Sequence, residues 1–349
     1  MMPVYIRGLS AISIQDTFGK FPQKGWQSYE EPYVRCIEPD FKQFLSPIAL
    51  RRMSPIIKRA IATSIGAIRD SGIENPEAII SGTGLGCIED TEKFLWSMIE
   101  NEEQFLQPTF FIQSTHNTVG SQIAIHLKNH AYNNTYSHRG ISFDSALTDA
   151  WLMLRSGAVE SALVGGFDEM TPHYFGQLKK VGFWKDKPGN SLRIWTQKTP
   201  GSFAGEGSTS IMLSVDPGKE HYAEIKDMTL LYRPENIGQS IVEFLAGNGL
   251  RPEAIDLFMT GVSGDVEYDH SYFTIARELF PTKIHAAYKN LCGEFFTAPA
   301  FGLCSAAMIV KKGSVPEVQI IEGNNLSPVK NVLYYNQYRN KNHSLILLK

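Results

Sequence analysis

Residues 134–170 read NTYSHRGISFDSALTDAWLMLRSGAVESALVGGFDEM and carry the pattern from which the fold is predicted. The order is a short strand, a sharp turn, an apolar helix from Ser142 to Ser156, and a second strand that contains Gly165 and Gly166. Ala, Leu, Met and Trp dominate the helix, which predicts that it is buried. A buried helix of this kind points the N–H groups of its first turn, and a positive dipole end, into the protein interior.

The turn before this helix is a position suited to thiolate chemistry. A helix start lowers the pKa of a cysteine placed there and supplies N–H groups that stabilise an oxyanion. The turn contains Arg139, Gly140 and Ile141, and it contains no cysteine. The sequence therefore predicts the setting of a nucleophile without the nucleophile itself.

Composition limits the possible classes of protein. With 349 residues, 43% of them hydrophobic and 20% charged, the chain is predicted to form one large α/β unit or two similar halves. The net charge of −3 gives no overall field that would attract nucleic acid. Because we find neither a signal-peptide pattern nor an apolar stretch of spanning length, we expect a cytoplasmic protein without membrane insertion.

The cysteines and histidines show no ligand spacing. Four cysteines follow no CxxC pattern and the nine histidines include no HExxH, so we expect reduced thiols and no metal site or cofactor. The cysteines are Cys36, Cys87, Cys292 and Cys304.

One local pattern occurs twice. Residues 54–86 and residues 237–265 each give a helix, a glycine, the tetrapeptide Pro-Glu-Ala-Ile, a strand and Thr-Gly. Two distant copies favour a duplicated α/β fold, with coincidence in a common pattern as the alternative. The strands AIISGTG and SALVGG are almost wholly apolar, which predicts helices on both faces of the sheet.

Several segments, in the expected order, resemble the β-ketoacyl-ACP synthases, which are condensing enzymes of the thiolase fold. They are VYIRGLSAIS (4–13), RRMSPIIKRAIATSIGAIRDSGI (51–73), RSGAVESALVGGFDE (155–169) and GSFAGEGSTSIMLS (201–214), the last being similar to a Gly-Phe-x-x-Gly-Glu-Gly-Ala block. The resemblance implies an α/β fold of five layers, αβαβα, formed by two pseudo-repeats. Residues 1–349 would form a single unit, with an N-terminal half at 1–216 and a C-terminal half at 217–349.

The same resemblance identifies the catalytic positions. The family uses a Cys that attacks the acyl thioester and two His that polarise the malonyl carbonyl and stabilise the enolate. Counting back from the glycine after the helix places the Cys position at Gly140. The loop GVSGDVEYD places the first His position at Gly261, eight residues before Asp269. The segment KNLCGE keeps the supporting lysine as Lys289 and places the second His position at Glu294.

A family fold without its catalytic residues resembles the chain-length factors. Those proteins pair with an active ketosynthase in type II fatty-acid, polyketide and aryl-polyene systems, and FIQSTHNTVGSQIA (111–124) is similar to short proteins of aryl-polyene and flexirubin-type pigment clusters. The resemblance implies a non-catalytic subunit whose partners are an active ketosynthase or a second copy of itself, and an acyl carrier protein. Whether the chain is an enzyme stays open. An acyltransferase or decarboxylase that uses Cys292, Ser137 or Glu294 is one alternative, and a homodimeric acyl-chain binding protein is another.

Four further residues are candidates for the pocket. Tyr338 stands where the family has a gating Phe, and its loop lacks the family's glycines, which predicts a rigid loop. Phe203 belongs to the Gly-Glu-Gly block, and Arg139 would fill the emptied site, reach across a dimer, or point to the surface. Cys292 would be a substitute nucleophile or a small apolar filler.

A basic cluster is the candidate for docking a carrier protein. Acyl carrier proteins are acidic, so a patch of cations on a helix suits them, although a solvated helix face is the alternative reading. The residues are Arg51, Arg52, Lys58 and Arg59.

Overall fold

A computed structural model describes residues 1–22, 25–325 and 327–349. Within these residues there are eleven strands and eleven α-helices. The strands are β1 (Tyr5–Ile12), β2 (Ala78–Gly82), β3 (Tyr132–Tyr136), β4 (Ser161–Asp168), β5 (Gly207–Ser214), β6 (Ala223–Tyr232), β7 (Leu257–Thr260), β8 (Ile284–Ala287), β9 (Ile320–Glu322), β10 (Val332–Tyr338) and β11 (Asn342–Leu348). The helices are α1 (Pro47–Arg52), α2 (Pro55–Ser71), α3 (Ile88–Glu100), α4 (Pro108–Gln113), α5 (Thr118–Leu127), α6 (Ser142–Ser156), α7 (Pro172–Lys180), α8 (Ile237–Gly247), α9 (Val266–Leu279), α10 (Lys289–Cys292) and α11 (Ala298–Lys312).

The strands form two half-sheets with the same topology. The first runs β3-β2-β4-β5-β1 and the second runs β8-β7-β10-β11-β6, with β9 added beside β8. In each, the first three strands are parallel and the last two are antiparallel to their neighbours. The half-sheets meet where β1 pairs with β6 at Tyr5 and Ile6. The predicted boundary after residue 216 falls in the connection from β5 to β6.

Side chains that alternate along the strands create three apolar layers. Ile79 of β2 faces outward and packs with α2 and α5, whereas Ala78 and Ile80 face inward toward α6 and α11. The inner faces of the second half-sheet contact the same two helices, and its outer face packs against α8 and α9. The order α2/α5, first sheet, α6/α11, second sheet, α8/α9 confirms the predicted five-layer αβαβα fold.

Local predictions near the opening stretch also hold. The helix α6 spans Ser142–Ser156, as predicted, and follows a single 3-10 turn at Arg139–Ile141. Strands β2 and β4 are buried along their whole length. Among the residues described, no helix has the length and apolar character needed to cross a bilayer.

Candidate functional site

The positions identified from sequence lie where strands give way to loops. Gly140 follows β3, Gly261 follows β7, Lys289 follows β8, and Tyr338 is the last residue of β10. Because β7, β8 and β10 are parallel neighbours, their carboxyl ends lie at one edge of the second half-sheet. Such an edge is where open α/β sheets place their binding sites.

A pocket of about 200 Å³ lies at this edge. Its wall brings together the predicted positions Gly261 and Glu294, the retained Lys289, and Tyr338. Aromatic and charged side chains form much of the remaining wall: Phe183, Trp184, Tyr268, Asp269, Phe296 and Arg339.

The space beside Gly140 is occupied by an aromatic ring. A Cβ atom built on Gly140 would lie 2.6 Å from Cγ and 3.0 Å from Cβ of Tyr338. The Tyr338 ring in turn contacts the edge of Phe296, with ring centroids 5.9 Å apart. A side chain at the predicted nucleophile position therefore has no room unless Tyr338 moves.

Hydroxyl and amide groups crowd the space beside Gly261. A Cβ atom there would lie 2.7 Å from Oδ1 of Asn336, 2.8 Å from the hydroxyl of Tyr272 and 3.1 Å from that of Tyr288. The Tyr288 hydroxyl donates a hydrogen bond of 3.0 Å to Asn336 Oδ1. The Tyr272 hydroxyl accepts one of 2.8 Å from the backbone N–H of Gln337. Buried tyrosines thus fill the region next to the predicted position of the first imidazole.

Lys289 and Glu294 form an ion pair. The Nζ atom of Lys289 lies 2.7 Å from Oε2 of Glu294, and the lysine side chain is only 7% exposed. Backbone hydrogen bonds fix the partner, because Glu294 N donates to Phe203 O (3.0 Å) and Gly205 N donates to Glu294 O (3.1 Å). The retained lysine is therefore engaged with a carboxylate, and the positive charge it brings to the pocket is balanced.

Asp269 holds the loop that follows β7. Its carboxylate accepts hydrogen bonds from the backbone N–H groups of Ser263 (3.0 Å) and Gly264 (2.6 Å). Burial raises the pKa of Asp269 to about 7, against the opposing effect of these N–H groups and of the Lys289 charge. Both oxygens face backbone donors, so the group fixes loop geometry at the pocket wall.

Two adjacent acids at the end of β4 play a similar part. Asp168 accepts from the backbone N–H groups of Gly84 and Leu85, and Glu169 accepts from those of Ile56 and Glu89 at the starts of α2 and α3. Burial raises the pKa of Asp168 to about 6 and that of Glu169 to about 8. These carboxyls join β4 to the helices around it.

Three pocket candidates lie outside the pocket wall. Arg139 is exposed at a positive φ of 47°. The Cys292 thiol is fully buried, where burial raises its pKa well above the ordinary value, and its Sγ lies 3.3 Å from Gly293 O. The Phe203 side chain packs in a separate cluster with Ile14 and Ile194.

Ser202, which sequence reasoning missed, lines the pocket next to Phe203. A signal for it was present. Counting the Gly-Phe-x-x-Gly-Glu-Gly pattern back from Gly207 places the motif's Phe at Ser202, so the aromatic side chain of that position is absent here.

The turn after Tyr338 is a tight hairpin. Arg339 and Asn340 adopt φ values of 53° and 50°, and Lys341 N donates to Tyr338 O over 3.1 Å. The pairing of Tyr338 with Asn342 leaves three residues in the connection, and two of them have positive φ without being glycine. The Arg339 guanidinium lies 4.0 Å from the ring centroid of Phe183, at the pocket wall.

The structure corrects one member of the predicted docking cluster. Arg51 and Arg52 are exposed at the end of α1, and Lys58 is half-buried. Arg59 is buried, with its guanidinium 2.7 Å from Glu38 and 3.0 Å from Glu206. Position 59 faces the half-sheet, so the prediction that Arg59 lies on a docking surface is wrong.

Comparison with known protein families gives one match. The family model described as "Beta-ketoacyl synthase, N-terminal domain" matches residues 24–213. Among curated proteins, 3-oxoacyl-[acyl-carrier-protein] synthase 2 of Vibrio cholerae serotype O1 is 24% identical over 201 residues, which are 53% of this chain and 49% of that protein. The Vibrio harveyi protein of the same name is 23% identical over 184 residues, or 50% of this chain and 44% of that protein. The aligned part thus spans about half the length of these relatives.

Solved structures share the fold along the whole chain. "The ishigamide ketosynthase/chain length factor" superposes with a TM-score of 0.81 at 17% identity, covering 99% of this chain and 98% of that one. A β-ketoacyl synthase from Burkholderia phymatum STM815 gives a TM-score of 0.78 at 14% identity, covering 100% and 99%. A type II polyketide synthase acyl-carrier protein in complex with its ketosynthase gives 0.78 at 13% identity, covering 100% and 99%. At these identities the likeness shows the fold.

Proposed function

Because the chain belongs to the β-ketoacyl synthase family, we propose that it is a non-catalytic partner of an active ketosynthase. It acts in carrier-protein-dependent synthesis of a polyketide or fatty acyl chain, in the manner of a chain-length factor. The main support is the position of the Tyr338 ring, which occupies the space beside Gly140 where a nucleophilic side chain would lie.

The two predicted His positions support the same proposal. Gly261 is packed against the hydroxyls of Tyr272 and Tyr288, and Glu294 is paired with Lys289. Neither position can polarise a malonyl carbonyl as an imidazole does. Catalytic residues that act as a unit do not contribute independently, and all three are replaced here. We therefore propose that the chain alone has no condensing activity.

The exposed edge of the first half-sheet supports a dimer. In the described part of the chain, β3 is an edge strand that pairs with β2 on one side only, and such an edge pairs readily with another strand. Apolar side chains are exposed nearby, among them Ile112 and Ile125, the latter 67% exposed, and Tyr132 on β3 itself. We assign this edge to the ketosynthase partner, with a second copy of this chain as the alternative occupant.

We assign docking of the acyl carrier protein to Arg51 and Arg52. Arg51 and Arg52 give an exposed cationic pair that suits an acidic carrier protein. The finer assignment to an aryl-polyene or flexirubin-type pigment pathway rests on the resemblance of residues 111–124, and we propose the cytoplasm as the location. Formation of a coloured polyene by the reconstituted pair tests that assignment.

The alternatives have less support. A reactive Cys292 would require exposure and a lowered pKa, whereas its thiol is fully buried with a raised one. A homodimeric acyl-chain binder would require a roomy pocket at the predicted catalytic positions, whereas the pocket there, of about 200 Å³, is below the roughly 300–1,000 Å³ typical of sites for drug-sized ligands.

Co-expression with each intact ketosynthase encoded nearby tests the proposal. We expect one synthase to co-purify in a 1:1 complex that condenses acyl and malonyl carriers, while the chain alone shows no turnover. Ile125→Glu should disrupt the complex, because a charge would be buried in an apolar interface. Val242→Glu, on the exposed side of α8, is the matched control and should leave the complex intact. A chain that stays monomeric with every synthase, or that condenses alone, would contradict the proposal.

A further inference from the structure

The pocket at the edge of the second half-sheet reaches solvent between two segments of the chain. Exposed residues on its wall mark the opening: Val181, which is 68% exposed, on one side and Glu267 on the other. Two aromatic residues, Phe183 and Tyr268, lie close to them in sequence and also line the pocket. The opening thus lies between the segment that follows α7 and the start of α9.

The side chain of Arg339 bridges this opening. Its guanidinium lies 4.0 Å from the ring centroid of Phe183 and 5.5 Å from that of Tyr268. Both distances are within the roughly 6 Å over which a cation is attracted to an aromatic face. Arg339 is itself half-buried and belongs to the pocket wall. One side chain therefore contacts both sides of the opening.

Backbone hydrogen bonds hold the Phe183 side of the opening in place. The N–H of Ser202 donates to Phe183 O over 2.9 Å, and the N–H of Lys185 donates to Ser202 O over 2.8 Å. Phe183 N donates to Leu178 O in α7 over 3.1 Å. None of these bonds involves the side chain of Arg339, so we expect this segment to stay where it is when Arg339 is replaced.

The hairpin that carries Arg339 is fixed to α9 in a similar way. Gln337 Nε2 donates to Tyr268 O over 3.0 Å, and its Oε1 accepts from the N–H of Asn340 over 2.6 Å. The Ser271 hydroxyl donates to Asn340 Oδ1 over 3.0 Å. Because both sides of the opening are held by other residues, the side chain of Arg339 is the part that can move by itself.

We propose that Arg339 is a side-chain gate that controls entry into this pocket. The gate is shut when the guanidinium lies against the rings of Phe183 and Tyr268, and it opens when the side chain swings into solvent. Attraction to the two rings keeps the shut position dominant. The role of the gate rests on the function proposed above, since a shut pocket leaves a carrier-bound chain to the active ketosynthase. Its opening and closing can be measured without any partner.

A cysteine inside the pocket reports on the gate. Ser202→Cys places a thiol on the pocket wall, while the four native thiols are buried. Iodoacetamide alkylates a thiolate that it can reach, forming a thioether with loss of iodide, so the labelling rate follows the fraction of molecules with an open gate. Intact-protein mass spectrometry counts the adducts. One adduct reports gate opening, whereas additional adducts report unfolding that exposes the native thiols.

Removing the guanidinium should speed the labelling. In the Ser202→Cys background, Arg339→Ala is expected to label about 2–30 times faster, because a cation–π contact lowers the open fraction by about that factor. Arg339→Lys keeps the charge and loses the planar group that stacks on a ring, so it should give an intermediate rate. Alanine and lysine both keep a Cβ at the positive φ of 53°, so the backbone constraint at position 339 does not change.

Arg233→Ala is the matched control. Arg233 also has a positive φ, of 46°, and lies 5.3 Å from the ring centroid of Tyr232, but it is outside the described wall of this pocket. Its replacement should leave the labelling rate unchanged. Ser263→Cys, also on the wall, replaces Ser202→Cys as the reporter if that variant does not fold. The inference is overturned if Arg339→Ala labels no faster than its parent, if Arg233→Ala speeds labelling equally, or if the faster labelling falls on the native thiols.

Discussion

Replacing Gly140 with cysteine would restore the predicted nucleophile, and the structure gives the size of the obstacle. The new Cβ would lie 2.6 Å from Cγ and 3.0 Å from Cβ of Tyr338, so the tyrosine has to move. Overpacking of this kind costs about 1–3 kcal/mol. Loss of the edge contact between Tyr338 and Phe296 adds about 0.5–1.5 kcal/mol. We therefore expect Gly140→Cys to lower the free energy of unfolding by about 1.5–4.5 kcal/mol, the sum of these ranges.

The double variant Gly140→Cys/Tyr338→Ala separates the two effects. Alanine at 338 keeps only the Cβ contact at 3.0 Å. The double variant should therefore lose less unfolding free energy than the sum of the losses in the two single variants, by roughly 0.5–3 kcal/mol. Its thiol lies at a helix start that favours the thiolate, so we expect acylation by an acyl-carrier thioester, faster than in Gly140→Cys alone. Condensation should stay absent, because Gly261 and Glu294 supply no imidazole.

Urea unfolding and intact-protein mass spectrometry measure the two outcomes. If Gly140→Cys were as stable as the wild type and were acylated as fast as the double variant, the Tyr338 ring would not occupy the nucleophile position. The reasoning from the structure would then be wrong.

Other perturbations have expected results of their own. Tyr338→Ala in the reconstituted pair should lower the melting temperature and leave product chain length unchanged; a changed chain length at constant melting temperature would contradict the rigid-loop prediction. Burial raises the pKa of Glu169 to about 8, so the native state keeps a proton that the unfolded chain releases near pH 4. Its contribution is fully present below that pH and is lost as pH rises to about 8, so the stability of wild type relative to Glu169→Gln should fall between pH 5 and 8 in urea titrations; a constant difference would refute this. Arg59→Gln should destabilise by about 3–5 kcal/mol by leaving Glu206 buried without its cation, whereas Arg51→Gln should stay within about 0.5 kcal/mol yet weaken carrier binding.

The family resemblance implied the five layers, and local composition predicted the covered strands and the central helix, because burial favours apolar residues in each of them. The unbroken apolar runs of β2 and β4 indicated strands covered on both faces, and α6 begins and ends at the predicted residues. The echo between residues 54–86 and 237–265 corresponds to α2–β2 and α8–β7, which occupy the same place in the two half-sheets.

The site was harder to predict, because its contacts join residues far apart in the chain. No local sequence pattern indicates that the ring of Tyr338 lies against Gly140, which is 198 residues earlier in the chain. Arg59 sits in a basic run that looks exposed, but it is buried and paired with Glu38 and Glu206, which lie in other parts of the sequence. In the Gly-Glu-Gly block the sequence analysis chose the aromatic Phe203 as the pocket candidate, whereas its neighbour Ser202 is the residue that lines the pocket.

One measurement tests the central claim most directly. The wild-type chain, reconstituted with its co-purifying ketosynthase, is incubated with an acyl-carrier thioester, and the intact mass of each subunit is determined. We predict one acyl group on the ketosynthase and none on this chain, in a complex that goes on to condense malonyl carrier. Stoichiometric acylation of this chain, mapped to Cys292 or to a serine near Gly140, would contradict the non-catalytic account.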